Sequence, residues 1–221
     1  MSRRPVSPPE SGGPRTPGGG PERFPGFDVL DQLPYWDPAT AAVVESRLGP
    51  PPALRFFSPA EQATVTALAD LLLGQDTEPR VPVTEMIDAR LAEEQTDGWR
   101  YADMPEDGQA WRDTLAYLDA DAQAKYGAGF ADCPAADQRA AIQSVQDLGS
   151  GDWHGLPAAR VWSLWTRYAC TAFYAHPWAW NEMGFPGPAY PRGYKNKGVG
   201  RREPFEVADG RPAEDPVREG E

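Results

Sequence analysis

Between Pro157 and His176 the chain carries its most apolar helical pattern. Val161, Trp162, Leu164, Trp165, Tyr168, Ala169, Ala172 and Phe173 recur at helical spacing and cover far more than one stripe. A helix apolar most of the way round must be covered most of the way round, as the centre of a bundle or by a partner as well. Pro177 ends it, because the residue before a proline disfavours the helical region.

Candidate neighbours lie upstream. Ser58-Pro59-Ala60-Glu61 places a hydroxyl at the N-cap, proline at the first helical position and Glu at the third, the capping-box arrangement. Val65, Leu68, Leu71 and Leu72 follow at helical spacing up to Gly74. A second helix is predicted from Val83 to Gln95, with Met86, Ile87 and Leu91 inward. A third runs from Glu106 to Tyr126 on a stripe of Trp111, Leu115, Leu118, Ala122 and Tyr126, and stops at Gly127. The fourth spans Pro134 to Leu148, with Ile142, Val145 and Leu148 apolar. No strand pattern of comparable strength appears. The expectation is an all-α fold: a single compact bundle of about five main helices with irregular Pro/Gly-rich extensions.

The 25 prolines and 22 glycines among 221 residues gather mainly at the two ends. Residues 1–25 and 207–221 are expected to be disordered tails, flanking one domain over 26–206. Phe27, Val29, Leu30, Leu33, Tyr35 and Trp36 are too apolar for a solvated tail and should pack on that domain. A short helix is expected over Ala39–Leu48, before Pro50-Pro51-Pro52. Trp178 to Phe205 is rich in Gly, Pro and aromatics without helical or strand period.

A net charge of −12 repels phosphate backbones, which argues against nucleic-acid binding. No apolar stretch is long enough to span a membrane. Arg3-Arg4 is a twin-arginine pair, but Pro5 to Pro25 supplies no apolar continuation, so no signal peptide is expected. Two cysteines, Cys133 and Cys170, leave a single disulfide open and exclude a disulfide scaffold.

Catalytic constellations are hard to assemble. His154 and His176 are the only histidines, and with Cys133 and Cys170 they match no compact zinc spacing. Di-iron bundles need Glu three residues before a ligating His, yet those positions hold Gly151 and Phe173. Cys170 and His176 are six residues apart, about 240° of helical rotation, and point to different faces. Cys170 reads as a small buried core residue, and Cys133 as a weak N-cap before Pro134. His176 is expected to cap the last helical carbonyls, bond across the following turn, or face a partner. Gly127-Ala128-Gly129 and Gly198-Val199-Gly200 lack the third glycine and preceding strand of a dinucleotide fingerprint. Asp119, Asp121 and Glu93-Glu94 read as solvated helix surface.

The most distinctive stretch is Arg167 to Tyr194, containing His176-Pro177, Trp180-Asn181-Glu182 and Gly187-Pro188-Ala189-Tyr190-Pro191-Arg192-Gly193-Tyr194. It resembles the C-terminal signature of the gluconate 2-dehydrogenase subunit 3 family. Phe57-Ser58-Pro59-Ala60-Glu61 through Ala67-Leu68-Ala69-Asp70 resembles that family's opening helix, so the likeness covers residues 55 to 207. The resemblance implies a non-catalytic subunit accompanying a large FAD-containing oxidoreductase of the glucose-methanol-choline class, often with a cytochrome c subunit. It implies no cofactor in this chain and FAD in the partner. Many members carry a twin-arginine signal; this chain departs there, so it is expected in the cytoplasm or exported only with its partner.

Rigid, aromatic-rich segments suit docking, because prolines reduce the entropy of ordering and Trp and Tyr bring large contact area with few rotamers. The predicted partner-binding residues are His176, Trp178, Trp180, Asn181, Glu182, Phe185, Tyr190, Arg192 and Tyr194. The same aromatics could instead wrap only this chain's own helices. Two other readings stand beside it: a chaperone that leaves before the mature complex acts, and a free-standing helical enzyme or ligand-binding protein using Tyr168, His176, Trp180 and Glu182.

Overall fold

A computed structural model describes residues 23–196 and 198–210. Among these the α-helices are α1 (Pro38–Ser46), α2 (Pro59–Leu73), α3 (Val83–Ala92), α4 (Asp107–Tyr126), α5 (Ala135–Asp147), α6 (Ala158–Tyr174) and α7 (Pro177–Met183). Two 3-10 turns, Val29–Tyr35 and Phe130–Asp132, and one small hairpin, β1 (Asp152–Trp153) with β2 (Leu156–Pro157), complete them. The fold is helical, as expected. Most of residues 1–25 and 207–221 lie outside the described residues, but Arg23 pairs with Asp209 at 2.7 Å.

Local chemistry accounts for the helix ends. Ser58 Oγ accepts from the Glu61 N–H at 3.4 Å while Glu61 accepts from the Ser58 N–H at 2.8 Å. Such a cap contributes about 1 kcal/mol. Gly74 and Gly127 close α2 and α4 in the left-handed conformation that glycine adopts without steric cost. α3 stops sooner than its sequence suggests, with Glu93 as its C-cap. α5 ends at Asp147, and Leu148, expected to pack, is 43% exposed.

Helix α6 is the centre, packed against α2, α3, α4 and α5. Val161, Leu164, Trp165, Tyr168, Ala169, Ala172 and Phe173 are buried. Cys170, Thr171 and Tyr174 are exposed, so Cys170 is not the core residue expected. The reason is rotational: Tyr168, Ala169, Ala172 and Phe173 share the inward side of a 3.6-residue helix, and the intervening positions fall opposite. The polar groups taken into this core include a hydrogen-bonded indole and hydroxyl. Trp165 Nε1–H donates to Thr114 Oγ at 3.1 Å, and that hydroxyl donates to the Ala110 carbonyl at 2.7 Å.

Three acids do structural work that composition did not disclose. Asp88 is fully buried, and its carboxylate accepts the backbone N–H groups of Arg55, Phe56 and Phe57 at 2.7, 2.8 and 2.8 Å. Asp119, expected to be solvated, ties Thr64 on α2 to the Phe130 N–H, both at 2.9 Å. Asp121, likewise expected at the surface, accepts from Trp153 Nε1–H at 2.8 Å and bonds His154 Nε2 at 2.9 Å. These bonds hold the hairpin on α4. Its turn, His154-Gly155, has φ of 50° and 80°, the two-residue geometry whose twist suits a hairpin.

A second, smaller core joins the two ends of the described chain. Val29, Trp36, Val44 and Trp180 are its buried members, with Phe27, Leu30, Leu33, Ala41 and Phe185 packed around them. The N-terminal apolar segment therefore packs as expected, apart from Tyr35, which is 60% exposed. Gly187 makes the closest approach: at φ 75°, an added Cβ would stand 2.2 Å from Trp36.

Candidate docking surface

The stretch after Pro177 is not irregular throughout, as its composition suggested. His176 acts as N-cap, Pro177 occupies the first helical turn, and Gly184 closes α7 at φ 65°. The proline that stops α6 starts α7. Only seven residues long, this helix is too short for periodicity to register.

His176 is 2% exposed and bonds across this turn, its Nδ1 accepting from the Trp178 N–H at 3.2 Å. The ring also bonds the backbone of Arg47; burial, with help from the Arg47 charge, lowers its pKa to about 4. A neutral ring with Nδ1 as acceptor carries its proton on Nε2. Trp178 is half-buried, edge-on to this ring at 4.8 Å. Trp180 Nε1–H donates to the Tyr174 carbonyl at 2.7 Å, and the ring packs on Phe185 at 5.4 Å. Asn181 Oδ1 accepts the Val29 N–H at 2.8 Å. Arg192 donates to Gln32 Oε1 at 2.8 Å and to the Pro186 and Pro188 carbonyls at 3.3 and 3.4 Å, lying 3.8 Å over Phe205.

The nine residues predicted to bind a partner thus divide. His176, Trp180 and Asn181 are buried and hydrogen-bonded inside the chain, Trp178 and Phe185 are half-buried, and Arg192 organises the segment from within. Glu182, Tyr190 and Tyr194 remain exposed, the two tyrosines at 69% and 49%. Reasoning from sequence did not single out Tyr174 and Met183, which are 50% and 42% exposed on α6 and α7. Tyr174 stands next to Glu182; its own partial burial and then that carboxylate raise its hydroxyl above the usual range. Met183 and Tyr194 line a groove of ≈ 630 Å³ with Phe24, Phe185 and Arg202.

Tyr168, His176, Trp180 and Glu182 do not converge on one site. The Tyr168 hydroxyl donates to Asp107 at 2.7 Å, with the Arg90 guanidinium 4.5 Å over its ring, inside the main core. Burial and the Asp107 carboxylate raise its pKa far above the usual tyrosine value. Trp180 belongs to the second core and Glu182 to the surface. Among the described residues no three His, Cys, Asp or Glu side chains are placed to hold a metal. Cys133 is buried with its thiol toward the Gly129 carbonyl at 3.3 Å, rather than capping α5, and neither cysteine is paired. No described helix is long and apolar enough to cross a membrane.

The family model described as Gluconate 2-dehydrogenase subunit 3 matches residues 59–187, more than half of the chain. That range holds α2 to α7 and ends at the glycine beneath Trp36. No curated protein and no solved structure matches the chain. On the extent of the family match, this chain belongs to the gluconate 2-dehydrogenase subunit 3 family.

Proposed function

We propose that this chain is a non-catalytic accessory subunit that binds and stabilises a glucose-methanol-choline-type, FAD-dependent dehydrogenase. The observation that carries the reading is the family match over residues 59–187, whose name is that of a dehydrogenase subunit. The exposed large side chains, three tyrosines and a methionine, support it. Tyr174, Met183, Tyr190 and Tyr194 are left in solvent next to a segment that is itself pinned by Asn181 and Arg192. Ordering such a segment before association lowers the entropy lost on docking. In this reading FAD and the hydride chemistry reside in the large subunit, and a cytochrome c subunit is a further candidate partner. The chain works in the cytoplasm or leaves it with the flavoprotein.

Co-expression tests the reading. The large flavoprotein subunit from the same genome is produced with and without this chain, then assayed for solubility, FAD content and dye-linked turnover. The expected result is soluble, flavin-loaded, active protein only when both are present. A large subunit that folds, holds FAD and turns over equally well alone would overturn the reading. Size-exclusion of the mature complex separates a permanent subunit, which co-elutes, from a chaperone that has left.

A further inference from the structure

The stretch from Met183 to Arg202 contains five of the chain's 21 Lys/Arg and no Asp/Glu, although the whole sequence holds 33 acidic residues. This cationic run is shaped from within. Glu203 is 5% exposed and accepts the backbone N–H groups of Lys195 and Asn196, and the Asn196 side-chain amide at 3.2 Å. Arg192 is committed to Gln32 and two carbonyls. With that carboxylate and that guanidinium turned inward, Lys195, Arg201 and Arg202 are exposed. Among the described residues none of these three forms an ion pair, whereas Arg23, Arg55, Arg80, Arg90, Arg100, Arg112, Arg160 and Arg167 all do. Tyr190, Tyr194 and Val199 project from the same stretch at 69%, 49% and 107% exposure.

A buried carboxylate that orders a loop around unpaired cations is a preorganised complement to negative charge. The exposed cations favour a negatively charged occupant, although Glu206 and Asp209 line the groove beside Arg202; its class follows from reach. At physiological ionic strength screening confines the field to about 8 Å, so a docked contact feels these local cations rather than the net charge. A nucleic acid is an extended polyanion and would run onto the acidic body. A protein surface can present carboxylates locally and also bury the tyrosines, the residue type enriched at interface hot spots.

We propose that Lys195, Arg201 and Arg202, with Tyr190 and Tyr194 as apolar anchors, dock onto a carboxylate-rich patch of the flavoprotein subunit. This rests on the accessory-subunit reading and names the chemistry of its contact. The test measures affinity between the full chain and the large subunit from the same genome at about 50 and about 300 mM NaCl, where charge-steered contacts weaken. Wild-type binding should weaken about tenfold or more with salt. K195E/R201E/R202E should lose about tenfold or more at low salt while its thermal unfolding matches wild type. The charge-keeping K195R/R201K/R202K should bind as wild type, and Tyr190→Ala with Tyr194→Ala should raise the dissociation rate. Equal binding by the charge-reversed chain overturns the inference and leaves the accessory reading intact. No wild-type binding at all overturns both. Tighter binding to a mixed-sequence oligodeoxynucleotide or to phosphatidylserine vesicles than to the flavoprotein also overturns it, by making the cations a polyanion site.

Discussion

Asn181 accepts the backbone N–H of Val29 at 2.8 Å, joining the N-terminal segment to α7 across 152 residues of sequence. Both partners are buried, so the bond has no water to replace it. Replacing Asn181 by Ala leaves the Val29 N–H without this acceptor, at a cost of about 1–3 kcal/mol. The predicted variant melts at lower temperature and is cut by protease within residues 27–48 before the helical body is touched. Unchanged melting and unchanged cleavage would sink the idea that this bond holds the two ends together.

Asp88 gives a second prediction. Its carboxylate serves three backbone N–H groups that no helix or strand supplies, just ahead of the α2 cap. Asp88→Ala strands all three and should cost about 3 kcal/mol or more, read by urea unfolding. Asp88→Asn keeps one acceptor oxygen, enough for Phe56 and Phe57, but turns an NH2 toward the Arg55 N–H. Its loss should be smaller than that of the alanine variant, and the reverse order would contradict the assigned geometry.

The third prediction concerns pH. Burial holds the His176 pKa at about 4, below the ordinary 6.5. Between those values the unfolded chain binds a proton that the folded chain refuses, so stability rises with pH across the window. The contribution is fully present above about pH 6.5 and falls as pH drops toward 4, by about 3 kcal/mol at most. Urea unfolding at pH 5 and pH 7 should show a gap that His176→Gln narrows. An identical pH slope in wild type and His176→Gln would remove the histidine from the account.

The main helices were legible because their causes are local. Ser58, Pro59, Glu61 and Gly74 lie within one helix and its caps, and the apolar spacing of α4 and α6 spans enough turns to be unambiguous. α7 was not legible, because one proline serves as the end of one helix and the start of another. The aromatic segment was visible as special, but the division of its residues was not. Trp180 and Tyr190 look alike as composition; one is 5% and the other 69% exposed.

By itself the sequence determined the all-helical class, the caps and the inward stripes, since these depend on residues a few positions apart that meet whenever the helix forms. Tertiary structure alone decided that Cys170 faces solvent, that Asp88, Asp119 and Asp121 hold backbone and indole donors, and that Glu203 faces inward while its basic neighbours face out. Each of those outcomes depends on groups that are remote in sequence or on which side of a loop is covered. Hydrogen bonds and burial are properties of what finally lies opposite a side chain, and chain order does not encode that locally.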